Sequence, residues 1–327
     1  MCIKNFFRSF QFLFFIPLLF SVFLFSCSYS DSDFSDGISV MNWNLETFFD
    51  GEFDGNEYKE FSSAKSGWSR EKYKVRLERL ASVIRSLDCD VIVMEELEKE
   101  GQLQDIVNQL SGTFDLSKVY RYGYFSNGES CSIGCGILSR LPLQNVSVHS
   151  LFVKGEIKQP SMRPIIKATF CVGGKNLDLF VNHWKSKSGG AESSEVWRDY
   201  QEKQLSRLIE ESLAAGNAVL ACGDFNRSIE EFEYKKNGDT NIALKGGANV
   251  HSPWFDEDGK LNSVGSYWYK NNWEYIDNFF FANASMTDFK IHDSGEWCDS
   301  ENHPLRYKVY SGAGYSDHLP LTCRIMP

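Results

Sequence analysis

The sequence predicts an α/β protein: a four-layer α/β sandwich of two packed, mostly antiparallel sheets with helices outside. Three observations predict it. Short strand-like apolar runs outnumber helical ones. The helical stretches fall mostly early in each half of the chain. Several apolar runs stop at a lone polar residue, which is where a sheet delivers side chains into a shared cleft.

In order, residues 38–44 read as a first strand ending in Met41-Asn42-Trp43-Asn44. Residues 69–87 read as a helix, because Tyr73, Leu77, Leu80, Ile84 and Leu87 recur at helical spacing with Arg and Lys on the other face. Residues 91–94 form a short apolar strand, and 103–110 a second helix. Residues 133–138 read as a strand stopped by the turn Ser139-Arg140-Leu141-Pro142. Residues 146–152 and 165–171 alternate like strands, and 177–181 is a buried strand leading to His183. A long helix over 193–215 precedes a strand at 218–222 that runs into Gly223-Asp224. Residues 227–272 are Gly- and Asn-rich and are expected to be irregular; 275–281 and 319–325 are the last strands.

With 327 residues, 42% hydrophobic and 24% charged, the chain has ample material for one core. A net charge of -10 excludes a protein built to wrap nucleic acid nonspecifically. It leaves room for a hydrolase that grips a polyanion locally. Lys4 and Arg8 precede an apolar run over 10–25, then Ser26-Cys27. Residues 1–27 therefore read as a lipoprotein-type export signal with Cys27 as the acylated residue. Residues 28–37 would be a flexible tether, and 38–327 one catalytic domain. The expected location is the cell envelope: a membrane surface, held through the lipid, or the periplasm. Of the seven remaining cysteines, Cys89, Cys171, Cys222 and Cys323 lie in or beside apolar runs and read as small buried residues. Cys131 and Cys135 could bridge only if Cys131 lies in a turn, and Cys298 sits in a polar loop. No Cys-x-x-Cys pair points to zinc.

The chemistry lies in the polar residues that end the strands. Asn44 and Glu46 share a face by alternation, as do Glu96 and Glu98, which turns Glu95 away. A lone carboxylate plus water is what Mg²⁺ accepts. Gly223-Asp224-Phe225-Asn226 projects an acid that can take a proton from water and an amide that can donate to a phosphoryl oxygen. Asp277, or the adjacent Asp317, can hold His318 protonated. His183 is flanked by Lys185 and Lys187, and Arg163 could reach the same anion. His149, His251, His292 and His303 read as surface or loop residues. Trp254 and the run Tyr267-Trp268-Tyr269 could stack bases, dip into lipid or pin a long loop.

Taken singly, each feature also fits a turn former or a structural histidine. The ordered set resembles the endonuclease/exonuclease/phosphatase superfamily, the deoxyribonuclease I-like fold. Its tokens are Trp43-Asn44, Met94-Glu95-Glu96, Ile137-Leu138-Ser139-Arg140-Leu141-Pro142, Asn182-His183, Gly223-Asp224-Phe225-Asn226, Ile276-Asp277 and Ser316-Asp317-His318. The resemblance implies Mg²⁺, replaceable by Mn²⁺, at Glu96 with Asn44 alongside; Asp317 is assigned to the metal with them. It implies Asp224 and Asn226 at the water and phosphate, His318 paired with Asp277, and His183 as a second catalytic histidine. Arg163, Asn226 and Lys185 would contact phosphate. Glu95 stands where the family usually has Gln, Asn278 follows Asp277 where many members have His, Tyr or Arg, and 122–127 offers no carboxylate to partner His183. The segment from Asn182 to Gly190 is similar to secreted bacterial nucleases. The expected protein is a monomeric, metal-dependent phosphodiesterase acting on DNA and possibly RNA. The rivals are a phospholipid phosphodiesterase and, more remotely, a noncatalytic binding lipoprotein.

Overall fold

The computed structural model describes residues 34–153, 158–234, 241–256 and 259–327. The expected export signal, Cys27 and the expected tether up to residue 33 lie outside the described residues. The last part of the expected tether is not loose: 34–37 form a turn in which Gly37 N donates to Phe34 O, and Phe34 packs on the core.

The elements are β1 (Ile38–Phe48), α1 (Lys59–Ser62), α2 (Arg70–Leu87), β2 (Val91–Leu97), α3 (Gly101–Gln109), β3 (Tyr122–Asn127), β4 (Gly134–Ser139), β5 (Gln144–His149), β6 (Ile165–Val172) and β7 (Lys175–His183). Then come α4 (Ala191–Ala214), β8 (Ala218–Asp224), β9 (Glu233–Tyr234), β10 (Asn241–Ala243), β11 (Asn249–His251), β12 (Tyr267–Tyr269), β13 (Asn272–Glu274), β14 (Asp277–Ala282), β15 (Ser285–Ile291) and β16 (Leu321–Met326). One sheet runs β15-β16-β1-β2-β4-β3 and the other β5-β6-β7-β8-β14-β11-β10-β9. Each sheet has one parallel pair, β1 with β2 and β7 with β8; the other neighbours are antiparallel. A parallel pair needs a crossover, and here α1 and α2 supply one and α4 the other.

Local sequence explains the helices. Ser69 caps α2 by accepting from Lys72 N, Glu71 sits in its first turn and Arg85 in its last, and Asp88 ends it in a left-handed conformation. Its apolar stripe of Tyr73, Leu77, Leu80 and Ile84 forms one core with Met41, Trp43, Ile92 and Met94. A second core joins Val40, Val91, Val93 and Ile137 of the first sheet to Leu179, Leu220 and Phe279 of the second and to Leu205 and Ile209 of α4. The layers are thus helices, sheet, sheet, helix, and β1, β2, β7 and β8 end beside one another in the middle.

Candidate active site at the strand ends

Strand register sets the frame. Asn44 pairs with Glu95, His183 with Asp224, and Asp224 with Asp277. Gly223 makes the junction possible: its φ is +138°, and a Cβ there would lie 1.8 Å from Asn182 O. Asp224 is the hub. Its Oδ2 accepts from Asn44 Nδ2 at 3.0 Å and from Asn226 Nδ2 at 3.1 Å, and its Oδ1 accepts from Asn226 N at 2.8 Å. Asn226 takes φ +47°, a conformation that Asn tolerates better than most residues. Its amide also donates to Trp184 O at 3.2 Å, the same oxygen that accepts from Arg163 Nη2 at 2.8 Å.

His318 enters from the loop before β16. Its Nδ1 lies 2.8 Å from Asp277 Oδ2. Ser316 Oγ donates to Asn44 O at 2.6 Å, and the Trp43 indole donates to His318 O at 2.9 Å, so the loop is bolted to β1. Burial opposes charging of His318. Asp277, with Asp317 and Asp224, outweighs it and holds the pKa well above the ordinary value. His183 behaves oppositely. Burial, then the charges of Arg163 and His318, push its pKa well below the ordinary value, so it is neutral. Its Nε2 is 3.7 Å from Glu96 Oε1 and 3.6 Å from Asp224 Oδ2, while its buried Nδ1 has no partner. Burial, then Asp277, raises Asp224 to about 7.

Two bulges correct the expected alternation. The register between β2 and β4 shifts between Glu95 and Leu97, and Glu96 adopts φ +68°. Glu96 therefore reaches the cleft beside Asn44 Nδ2 (3.3 Å), with Thr47 N donating to its other oxygen at 2.5 Å. Glu95 is not turned away. It is fully buried, both oxygens lack a hydrogen-bond partner, and its pKa is raised well above normal by burial and then by Asp277 and Asp224. Glu98 does not share the face of Glu96; it accepts from Asp50 N at 2.7 Å. The bulge in β1, where Glu46 and Thr47 have φ +51° and +50°, commits Glu46 to Arg306 Nε (2.5 Å) and Tyr307 N (2.8 Å). Asn44 spends its side-chain oxygen on Glu46 N (2.9 Å) and turns its amino group to the acids.

A profile of the endonuclease/exonuclease/phosphatase family matches residues 39–326. The chain belongs to that family. Solved structures share the fold at low identity. TDP2 from Caenorhabditis elegans is 17% identical with a TM-score of 0.56, over 90% of this chain and 76% of that one. The human nocturnin catalytic domain with bound sulfate is 15% identical with a TM-score of 0.54, over 88% and 94%. The Bacteroides thetaiotaomicron mannosyl-6-phosphatase Bt3783 is 13% identical with a TM-score of 0.56, over 89% and 100%. No curated relative matches at the sequence level. Members of the endonuclease/exonuclease/phosphatase family are phosphoric ester hydrolases that generally depend on a divalent metal.

Against that family's needs, the cleft gathers Asn44, Glu96, Arg163, His183, Asp224, Asn226, Asp277, Asp317 and His318. Lys185 is half-buried near Arg163; its Nζ bonds Ser186 O at 3.1 Å, and burial lowers its pKa. Lys187, expected to add positive field, is instead tied to Glu231 (3.0 Å) and Glu274 (3.6 Å). Trp254 cannot stack a base: it is wholly buried, donates to Asp277 O at 3.0 Å and packs on Tyr275 and Phe289. Trp268 lies flat on His303 at 3.9 Å between ring centroids. His292, expected at the surface or in a loop, lies in the loop that follows β15, half-buried with its Nε2 2.9 Å from Thr322 Oγ1. Sequence reading passed over Arg306, which bridges Glu46 and Asp317 (2.5 and 3.9 Å), because nothing in its local sequence marks it. Cys131 and Cys135 do not bridge.

Proposed function

We propose that the protein is an exported, lipid-anchored, Mg²⁺-dependent phosphodiesterase that hydrolyses DNA, and RNA secondarily, as a monomer. The observation that carries this reading is one cleft in which a histidine held charged by Asp277 faces a carboxylate, Asp224, poised near neutrality and gripped by two amides.

The residues suit a divalent cation of the hydrated kind. Among the described residues no three His, Cys, Asp or Glu side chains converge as a complete ligand cage. Mg²⁺ does not ask for one, since it binds through one or two carboxylates and keeps its waters. Burial, then the neighbouring Asp277, raises the pKa of Asp224, a setting in which a bound cation would favour the ionised form. Glu96 would hold the ion, with Asp317 and Asn44 at its hydration shell. A bound ion would offset charge on a phosphoryl oxygen.

The chain's own groups supply the rest. Asp224 accepts a proton from the attacking water; its pKa of about 7 makes it a competent base near neutral pH. Asn226 and Asn44 fix that carboxylate and present N–H groups to the site. Charged His318 stabilises the phosphoryl oxygens or protonates the leaving oxygen. Neutral His183 donates from Nε2 toward the same region. Arg163, in no ion pair among the described residues, offers its guanidinium to the anion.

Nucleic acid is favoured by the ring that follows His318. Tyr267 packs on it at 4.7 Å between centroids, and Tyr269 stacks on Tyr267 at 5.9 Å and 16° while remaining exposed. Such a stair suits bases. The lipid reading wants an apolar protruding hairpin, whereas β12 and β13 turn through Lys270-Asn271 and pack Trp268 on Trp273. The leader ending in Cys27 supports the anchor. The test is protein from Ser28 onward with Mg²⁺, offered plasmid DNA, RNA and sphingomyelin vesicles in parallel. Nicking of DNA is expected. Vesicle hydrolysis without nicking overturns the substrate assignment, and turnover of none points to the noncatalytic reading.

A further inference from the structure

Two catalytic turns, 183–187 and 224–227, hang from the first half of α4, and one carboxylate joins the two suspensions. Arg198 and Arg227 are both 1% exposed at the side chain. Arg198 Nη1 donates to Lys185 O at 3.0 Å, holding the turn that follows His183. Gln201 Oε1 accepts from Lys185 N at 2.8 Å on the same turn. Arg227 is the residue after Asn226. It pairs with Glu195, Asp199 and Glu202, which rise along one face of α4. Glu195 bridges the two arginines: Oε2 takes Arg198 at 2.6 Å and Oε1 takes Arg227.

We propose that Glu195 is a positioning residue that couples the His183 turn to the Asp224–Asn226 turn through Arg198 and Arg227. Asn226 sits in a left-handed conformation that the chain must hold against its intrinsic preference, and the next residue is the clamped Arg227. The two turns also meet directly, since Trp184 N donates to Asp224 O at 2.9 Å and Asn226 Nδ2 to Trp184 O. Strand register already pairs His183 with Asp224, and the two turns that leave these residues set how their side chains, 3.6 Å apart, face each other. Glu195 never touches that pair. Its side chain is 43% exposed, the most exposed of the three carboxylates that hold Arg227, so it can be altered without opening the buried interior. Arg227 keeps Asp199 and Glu202 when Glu195 is lost, and Arg198 loses its only carboxylate among the described residues.

This inference rests on the phosphodiesterase reading for its rate prediction but not for its structural one. The experiment compares Glu195→Gln with wild type, and with Glu211→Gln, which removes a surface pair with Arg207 on the same helix. On plasmid DNA with Mg²⁺, Glu195→Gln is expected to lower kcat about 10-fold or more with KM within about twofold, the pattern of misplaced groups rather than lost binding. Its Tm should move no more than that of Glu211→Gln. Amide exchange is expected to speed up in both 183–187 and 224–227 of the Glu195 variant and in neither segment of the control. Wild-type kcat in Glu195→Gln, or loosening of only one turn, overturns the coupling. If wild type cleaves no nucleic acid, the exchange pattern still decides the coupling, and only the functional reading fails.

Discussion

Asn44 and Asp224, separated by 180 residues, are joined by a 3.0 Å hydrogen bond from Nδ2 to Oδ2 that spans the two sheets. The hub of the site therefore exists only once the sheets have packed. Asn44→Ala should leave Asp224 with two N–H donors, both from Asn226, instead of three. Activity is expected to fall about 10- to 100-fold, the scale for removing one preorganised donor, with KM for DNA little changed. Steady-state kinetics checks this.

The dyad sets the alkaline limb. Asp277 raises the pKa of His318, so the charged form persists to higher pH than for a free imidazole and is lost as pH rises through that raised value. Asp277→Asn should bring the loss of activity to lower pH, toward the ordinary histidine range of about 6.5. His318→Gln should cost about 100-fold or more in kcat at every pH. A pH–rate profile of the three proteins checks both.

Metal binding should expel protons. Burial and Asp277 keep Asp224 partly protonated near pH 7 without a cation, and cation binding favours the ionised form. Mg²⁺ or Mn²⁺ affinity should rise between about pH 6 and pH 8, with proton release seen as buffer-dependent calorimetric heat. EDTA should abolish turnover. Glu96→Gln should weaken the affinity at all these values.

Glu95 forecasts the opposite of Glu96. Its folded pKa is raised, so the folded chain binds more protons than the unfolded chain above about pH 4.5, and its contribution to stability falls as pH rises. Glu95→Gln should raise Tm in EDTA by about 2–4 °C at pH 8, corresponding to about 1 kcal/mol, and by less at pH 5. Thermal melts at the two pH values check it.

The aromatic residues divide by burial. Tyr269→Ala should raise KM for DNA a few-fold at unchanged Tm, because its ring is exposed at the end of the stair. Trp254→Ala should cost about 3–5 kcal/mol of stability, the scale for emptying a buried aromatic site. Denaturant titration separates the two.

Much of this was legible in the sequence because strong periodicity and strand-end polar residues are local signals. The stripe of α2, the buried runs of β2, β7 and β8, and the Gly223 turn all declared themselves. β3 and β15 did not: their polar and small residues, such as Gly123 and Asp288, hide an edge strand whose pairing is decided by its neighbours. The region 227–272 looked irregular because β9, β10 and β11 are two or three residues long and borrow their register from β14. The bulge at Glu96 was unreadable for a different reason. Alternation assumes an unbroken pleat, and nothing in Met94-Glu95-Glu96-Leu97 marks where it breaks. Arg306 and Glu195 were invisible because their partners are distant in sequence or act through a third residue.

The site residues of β1, β2, β7 and β8 come from the parallel pair at the middle of each sheet, and every outermost strand stands clear of the chemistry. β9, β10 and β11 lie beyond β14 at one such margin. The margins are therefore decoupled from the centre: strands at the periphery can be lengthened, shortened or replaced without disturbing the pairings that place the cleft residues.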